Sequence, residues 1–333
     1  MKAGGVDPQR FLEVAQMLSM SRSLTPYPGD FFAQSQIPQI VLSVCPHCGA
    51  GETFIKKAGR FTRSSDGETI QRFFCRRCSR HFSQATSDPC FRHKKRHLHR
   101  DIFERLASGQ TQRRIALVKK IARKTVVRKM LFLAAIAERR AYEHNLTFPP
   151  AAVVEFDELE TAEHTKCKPL SMFAMVEEKT RRILGVAVAR MPAKGRLAEI
   201  SRLRYGERVD ERPAVQKKFL EKVKPLVCPT GIVKSDMNPF YPSDIKRIFP
   251  EATHILFKGR KSRSAGLGEL KKGGFDQIFA INHTCAMFRA NMSRLFRRSW
   301  NLSKKPERLE AHAMIYVAYH NLFLLNHPAK SAS

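Results

Sequence analysis

Two short cysteine pairs, Cys45-Pro-His-Cys48 and Cys75-Arg-Arg-Cys78, stand on either side of strand-like sequence. A CxxC turn places two thiolates on one ion with backbone amides able to screen their charge, and two such turns complete a tetrahedral shell. Full cysteine ligation leaves no open coordination position. The expected ion is therefore a structural Zn²⁺ held by Cys45, Cys48, Cys75 and Cys78. A redox role fits less well, because that chemistry uses a single reactive pair beside a βαβ unit. The other four of the eight cysteines, Cys90, Cys167, Cys228 and Cys285, are read as buried thiols, and the pattern suits a reducing compartment.

Two aspartates form the second constellation. Asp157 is read as closing the apolar run AAVVEFDELE, and Asp236 as closing GIVKSDM. Carboxylates at the ends of adjacent buried strands are costly unless a cation neutralises them. A shared Mg²⁺ or Mn²⁺ would do so. Two such ions about 4 Å apart can activate the attacking oxygen and stabilise the leaving oxygen of a phosphodiester. Two aspartates at strand ends or turns, with no metal, are the plainer alternative.

The elements that must carry these groups read as three modules behind a punctuated arm. Residues 1–38, with TPYPGDFFAQSQIPQ, suggest a loosely attached N-terminal arm, and 39–86 break into short strands as a small β zinc ribbon. Residues 87–148 change to helical periodicity with dense basic charge. There Gly109 fits a helix end and Thr111 the N-cap of a new helix. Ile115, Ala116, Val126, Val127, Met130 and Leu131 are expected inside a three-helix, helix-turn-helix unit. Gln110, Gln112, Arg113, Arg123, Lys124, Thr125 and Arg128 stay outside, a mix of groups that reads base edges and phosphates. A basic scaffold with a solvated face is the bland alternative. Pro149-Pro150 then ends the helical stretch, and 149–329 follow a pattern of three strands, alternating helix and strand, and two long helices over about 278–298 and 306–325. The fold class is multidomain α/β.

Charge points to the partner. Lys and Arg number 60 against 30 Asp and Glu, a formal net charge of +30 in 333 residues. That excess predicts a polyanion, and double-stranded DNA is the leading candidate. No apolar run spans a bilayer, and no signal-peptide core or lipidation motif is visible, so no membrane partner and a cytoplasmic, nucleoid-associated location are expected. Lys258, Arg260, Lys261, Lys271 and Lys272 in a glycine-containing loop are assigned to the same polyanion, as are Arg76, Arg77, Arg80 and His81 beside the second cysteine pair.

The order CPHC, CRRC, helix-turn-helix, FDELE, VKSDMNPFYP and RANMSRLFRRSWNLSKKPERLEAHAMIYVAYHN resembles bacterial insertion-sequence transposases of the insertion-sequence-one type. The resemblance covers nearly all of the chain beyond the arm. It is strongest at Arg289, Arg294-Leu295, Arg297-Arg298 and Ser299. It implies a DDE-type transposase with a ribonuclease-H-like catalytic domain, in which Asp157 and Asp236 hold metal, the helix arginines Arg289, Arg294, Arg297 and Arg298 contact DNA, and a glutamate early in the basic helix completes the site. Counting back from Arg289, that position is Asn282. The expected acid is absent. Asn282 still offers a carbonyl oxygen to a hard cation, and His283 an imidazole suited to Mn²⁺. Glu269 and Asp276 are acids that could be borrowed, and Glu158 should face the other side of its strand. The chain is thus expected to bind terminal inverted repeats and to catalyse phosphodiester hydrolysis and strand transfer, as a homo-oligomer on DNA. The rivals are a DNA-binding regulator, or degenerate copy, with an inert catalytic domain, and a nuclease that cuts without joining.

Overall fold

The computed structural model describes residues 44–64, 67–87, 90, 93–258, 276–296 and 301–325, with the side chains of Gln84 and Ser87 excepted. The expected arm over 1–38, the lysines and arginines at 260, 261, 271 and 272, Glu269, Arg297, Arg298 and Ser299 lie outside the described residues. The chain is mixed α/β and divides into two compact units, with the break between Ile102 and Phe103. The segment 87–148, read above as one module, is shared between them.

The first unit is a three-stranded antiparallel sheet, β1 (Ile55–Thr62), β2 (Thr69–Cys75) and β3 (Arg80–Ser83), in that order. Its strands are short and mostly exposed. The buried centre is small: Cys45, Ala50, Cys75 and Phe82, with Cys48, Ile55, Phe73 and Cys78 packed around it. Half of that cluster is thiol. Among the described residues this cluster is little apolar area to set against the entropy of ordering the strands, which is the usual circumstance in which a bound metal supplies stability.

Helix α1 (Leu98–Ala107) crosses the break. Beyond it the second unit continues with α2 (Gln112–Val118) and the long α3 (Arg123–Leu146). The Thr111 hydroxyl accepts from the Arg114 amide at 3.2 Å and caps α2. Gly109, just past α1, has φ +78, a left-handed turn that a side chain would strain. Ile115, Ala116, Val126 and Met130 are buried, whereas Leu131 is exposed and Val127 half-buried. The departure follows from helix geometry: the stripe continues through Leu133, Ala134, Ala137 and Ala141, and Leu131 falls off it.

The remainder is a five-stranded sheet in the order β6-β5-β4-β7-β8. Strands β4 (Ala151–Ala162), β5 (Pro169–Glu177) and β6 (Ile183–Arg190) form an antiparallel meander, while β7 (Val227–Asp236) and β8 (Thr253–Phe257) run parallel to β4. Parallel neighbours need crossovers, and these are supplied by α4 (Leu197–Tyr205) with α5 (Arg212–Val223), and by α6 (Tyr241–Ile248). Val154, Phe156, Phe173 and Met175 pack with Phe219, Leu220, Tyr241 and Ile245 on one face. Gly185 lets α5 approach β6, since a Cβ there would meet Val223 at 3.0 Å. Helices α7 (Phe279–Asn291) and α8 (Pro306–Tyr319), with α3 against α8, belong to the opposite face. Helix α7 stops at Asn291, short of the expected 298, because the chain turns at Met292 and buries Met292, Ser293 and Leu295. Among the described residues no helix is long and apolar enough to cross a membrane.

One polar knot pins these layers. Asn321, fully buried in the π-turn that continues α8, accepts from the Ile183 amide at 3.0 Å and donates to the Ile183 carbonyl at 2.8 Å. It also donates to Asn145 at the end of α3, at 3.2 Å. Replacing one member leaves several buried polar groups unpaired. Asn321→Leu is expected to lose about 3 kcal/mol of unfolding free energy, read from urea denaturation of the second unit's transition.

Candidate metal centre and carboxylate site

In the first unit, Cys45 and Cys48 occupy a turn whose ends are tied by Cys45 N to Ala50 O at 2.8 Å and Gly49 N to Cys45 O at 2.9 Å. Cys75 ends β2, and Cys78 lies in the turn into β3. The four sulfurs lie within 4.8 Å of one another, with Cys45 to Cys78 and Cys48 to Cys75 both at 3.7 Å. All four thiols are free of disulfides. An ion bonded tetrahedrally to sulfurs at about 2.3 Å would space them about 3.8 Å apart. The cluster therefore fits a structural metal such as zinc. Burial opposes ionisation of Cys75, but the backbone N–H groups of Cys78 and Arg77 together with the thiols of Cys78 and Cys48 outweigh it and bring the thiol to about 7. Burial pushes Cys78 up to about 12, so four thiolates together need a cation. Arg76, Arg77, Arg80 and His81 are exposed around the turn. Metal analysis of purified protein should give one zinc per chain, and Cys45→Ser or Cys78→Ser should lose it together with the cooperative unfolding of this unit.

In the second unit the two aspartates come from adjacent parallel strands. Phe156 pairs with Ser235, so Asp157 and Asp236 are the next residues along their strands. Asp236 is the last residue of β7. Asp157 does not close β4, as read from sequence, but lies inside it; β4 runs on to Ala162, held on its other side by β5. The site thus sits where β7 leaves the sheet and β4 continues. Asp157 accepts from the Glu158 amide at 2.7 Å, and Asp236 from the Asn238 amide at 3.1 Å. Burial, then the charges of Asp236 and Glu158, push Asp157 up to about 7, opposed by the Glu158 amide and Arg289. A buried carboxyl raised by the charge of a second one beside it is the arrangement a hard divalent cation neutralises.

Helix α7 covers this face. Arg289 and Cys285 both lie within electrostatic reach of Asp157, and burial with Asp157 pushes the Cys285 thiol up to about 12. Asn282 shares their stripe of the helix. Its side-chain amide donates to Asp276 at 2.9 Å, and the carbonyl oxygen of Asn282 has no hydrogen-bond partner among the described residues. His283 is turned about 100° round the helix from Asn282. Its ring lies tilted against Phe279 and stands 3.4 Å from Arg181, so it is directed to a different neighbourhood from the aspartates. Asp276 accepts from the Ile278 amide at 3.2 Å, just ahead of α7. Glu158 faces the other side of β4, where it takes hydrogen bonds from Ser171 and from Asn238, the latter at 3.0 Å, with Arg212 at 3.8 Å.

Of the basic residues, Arg113, Arg123, Lys124 and Arg128 are exposed on α2 and the first turns of α3, Lys258 follows β8, and Arg289 is exposed on α7. Arg294 lies past the helix end, half-buried, instead of on a helix surface; the turn at Met292 carries it inward.

Sequence reading overlooked Glu155. It lies two residues before Asp157 on the same strand face, a spacing that period-2 alternation alone could have flagged. It is buried and accepts from the Ile281 amide of α7 at 2.8 Å. Burial, with Glu178 and Asp276 nearby, pushes it up to about 7 against the Ile281 amide and Lys234. A carboxyl whose folded value lies above its unfolded one stabilises the fold while protonated. The contribution is complete below pH about 4 and is lost as pH rises towards 7. Glu155→Gln keeps an acceptor for Ile281 and removes the charge. Without added divalent cation it should raise unfolding free energy at pH 8 by about 1–2 kcal/mol and leave pH 4.5 nearly unchanged, as followed by denaturation across pH.

Comparison with protein-family models gives no match for the chain, and comparison with curated proteins gives none either.

Proposed function

We propose that this chain is a DNA-binding, metal-dependent phosphoryl transferase, a transposase of DDE type acting on the ends of an insertion sequence. The observation that carries the reading is the apposition of Asp157 and Asp236 on adjacent parallel strands, at the point where β7 ends. The sheet order β6-β5-β4-β7-β8, with an antiparallel meander followed by two parallel strands, supports the reading, since a ribonuclease-H-like domain would order its strands in this way. So do the net charge of +30 and the exposed arginines and lysines on α2 and α3. The first unit serves as a zinc ribbon, and α2 with α3 as the helix-turn-helix that reads the DNA.

Bound Mg²⁺ or Mn²⁺ would supply Lewis-acid stabilisation of the phosphodiester and of the entering and leaving oxygens. Asp157 and Asp236 would hold that charge in place through their carboxylate oxygens. Asn282 stands where the helix would otherwise carry an acid, and its carbonyl oxygen makes the set less anionic by one charge. Arg289, beside Asp157, offers its guanidinium to a phosphate at the same mouth. Water or a freed 3′ hydroxyl attacks phosphorus in line as the bridging oxygen departs, with no covalent bond to the protein.

A second reading rests on Asn282. With one acid replaced, a chain that binds DNA as a regulator without cutting it has the same reader modules. The two separate in one assay, using duplexes that carry the sequences bounding the reading frame. The transposase reading expects strand cleavage that requires Mn²⁺ or Mg²⁺. Asp157→Ala or Asp236→Ala should abolish it while leaving DNA affinity within about threefold. Asn282→Glu should raise the rate supported by Mg²⁺. Specific binding with no cleavage under either metal would establish the regulator and end the enzymatic reading.

A further inference from the structure

Arg294 and Arg308 of the second unit have no counter-charge among the described residues. Arg294 lies in the turn after α7, where its Nη1 donates to the Ser303 hydroxyl at 2.9 Å. Arg308 belongs to the first turn of α8, and its Nη1 is shut off from water with no hydrogen-bond partner. Neither arginine makes an ion pair among the described residues. The two feel one another: burial first, then the charge of Arg308, bring Arg294 down to about 10. His312, one turn along α8 from Arg308, adds no charge, because burial and Arg294 push it down to about 4. Like charges turned inward without an anion are an unstable arrangement for a fold to keep by itself.

The surroundings are built to receive an anion. The Ser303 backbone is held by a bridge to Glu163, with its carbonyl accepting from the His164 amide at 2.8 Å, so its hydroxyl has a fixed mount. That hydroxyl already accepts from Arg294, leaving its own proton to give. The N-terminal end of α8, a helix of 14 residues, begins at Pro306, three residues on, and adds the positive end of its dipole. Guanidinium forks match the paired oxygens of a phosphate better than those of any spherical anion.

We propose that Arg294, Arg308 and Ser303 form a phosphate-binding site that takes a backbone phosphate of bound DNA. The assignment to DNA rests on the reading of the preceding subsection, whereas the anion site stands on its own geometry. The sequence reading had assigned Arg294 to DNA as one arginine of a continuous basic helix, and had given Arg308 and Ser303 no part.

The test uses the full-length, zinc-loaded protein. Sodium phosphate should raise the melting temperature of the wild type above that in sodium chloride of matched ionic strength, and should do so equally in Asp236→Ala. Arg308→Met relieves the repulsion, so it should fold at least as well in chloride, with the phosphate response gone. Ser303→Ala keeps both guanidiniums and should weaken the response. On a short duplex, Arg308→Met should bind about tenfold more weakly, with the slope of log affinity against log salt reduced by about 0.9. No phosphate-specific stabilisation of the wild type, or the same stabilisation in Arg308→Met and Ser303→Ala, overturns the site. A phosphate response lost in the variants with DNA affinity and salt slope unchanged overturns the DNA assignment and leaves free phosphate as the ligand. Loss of DNA cleavage in Asp236→Ala with the phosphate response intact keeps the two proposals separate.

Discussion

Two carboxyl groups held next to one another on adjacent strands repel, and the second unit is organised so that they cannot move apart. Phe156 and Ser235 are locked in register by the parallel pairing of β4 and β7, which sets Asp157 beside Asp236 whatever their charges prefer. Asp157 answers by resisting ionisation, its carboxyl pushed to about 7 by burial and by its neighbours. The same face carries Glu155, also pushed to about 7, clasped by an amide of α7. A sheet that concentrates this much acid under one helix pays in stability for a place where a cation can sit. That tension, more than any single residue, is what the proposed chemistry depends on.

The first unit meets a different shortage. Its strands bury too few apolar side chains to hold themselves, and four sulfurs stand at its centre with the spacing of a tetrahedron. A metal held here would substitute for hydrophobic core, and its four thiolate ligands would leave no position open to substrate. The contrast with the aspartates is chemical: soft, fully ligating thiolates for a structural ion against hard, incompletely ligating oxygens where a phosphate could enter.

Basic charge is distributed by depth. Arg123, Lys124 and Arg128 stand in water at the start of α3, while the same helix buries Ala134, Ala137 and Ala141 farther along. Exposed cations of this kind bind a polyanion weakly, each one screened, and gain by number. Arg294 and Arg308 are few, turned inward and mutually repelling, so a single phosphate among them is worth more than one at the surface.

Local chemistry was legible in the sequence. The CxxC pairs announced their cluster because each pair of ligands is fixed within one turn; Thr111 and Gly109 marked their helix ends because capping needs only neighbouring residues. Alternation along β4 placed Glu158 on the face away from Asp157, and the order of strands and helices indicated an α/β layer. What sequence could not fix depended on contacts between distant segments. That Asp157 lies within β4 and not at its end follows from pairing with β5, and that α7 stops at Asn291 follows from burial of Met292 and Leu295. Glu155 is a site neighbour only because α7 lays the Ile281 amide upon it, and Arg294 is an inward group only because the chain turns. Residue types and spacing determined which groups were capable of chemistry; tertiary packing decided which of them share a pocket, because charge, burial and reach are set by the neighbours that folding brings.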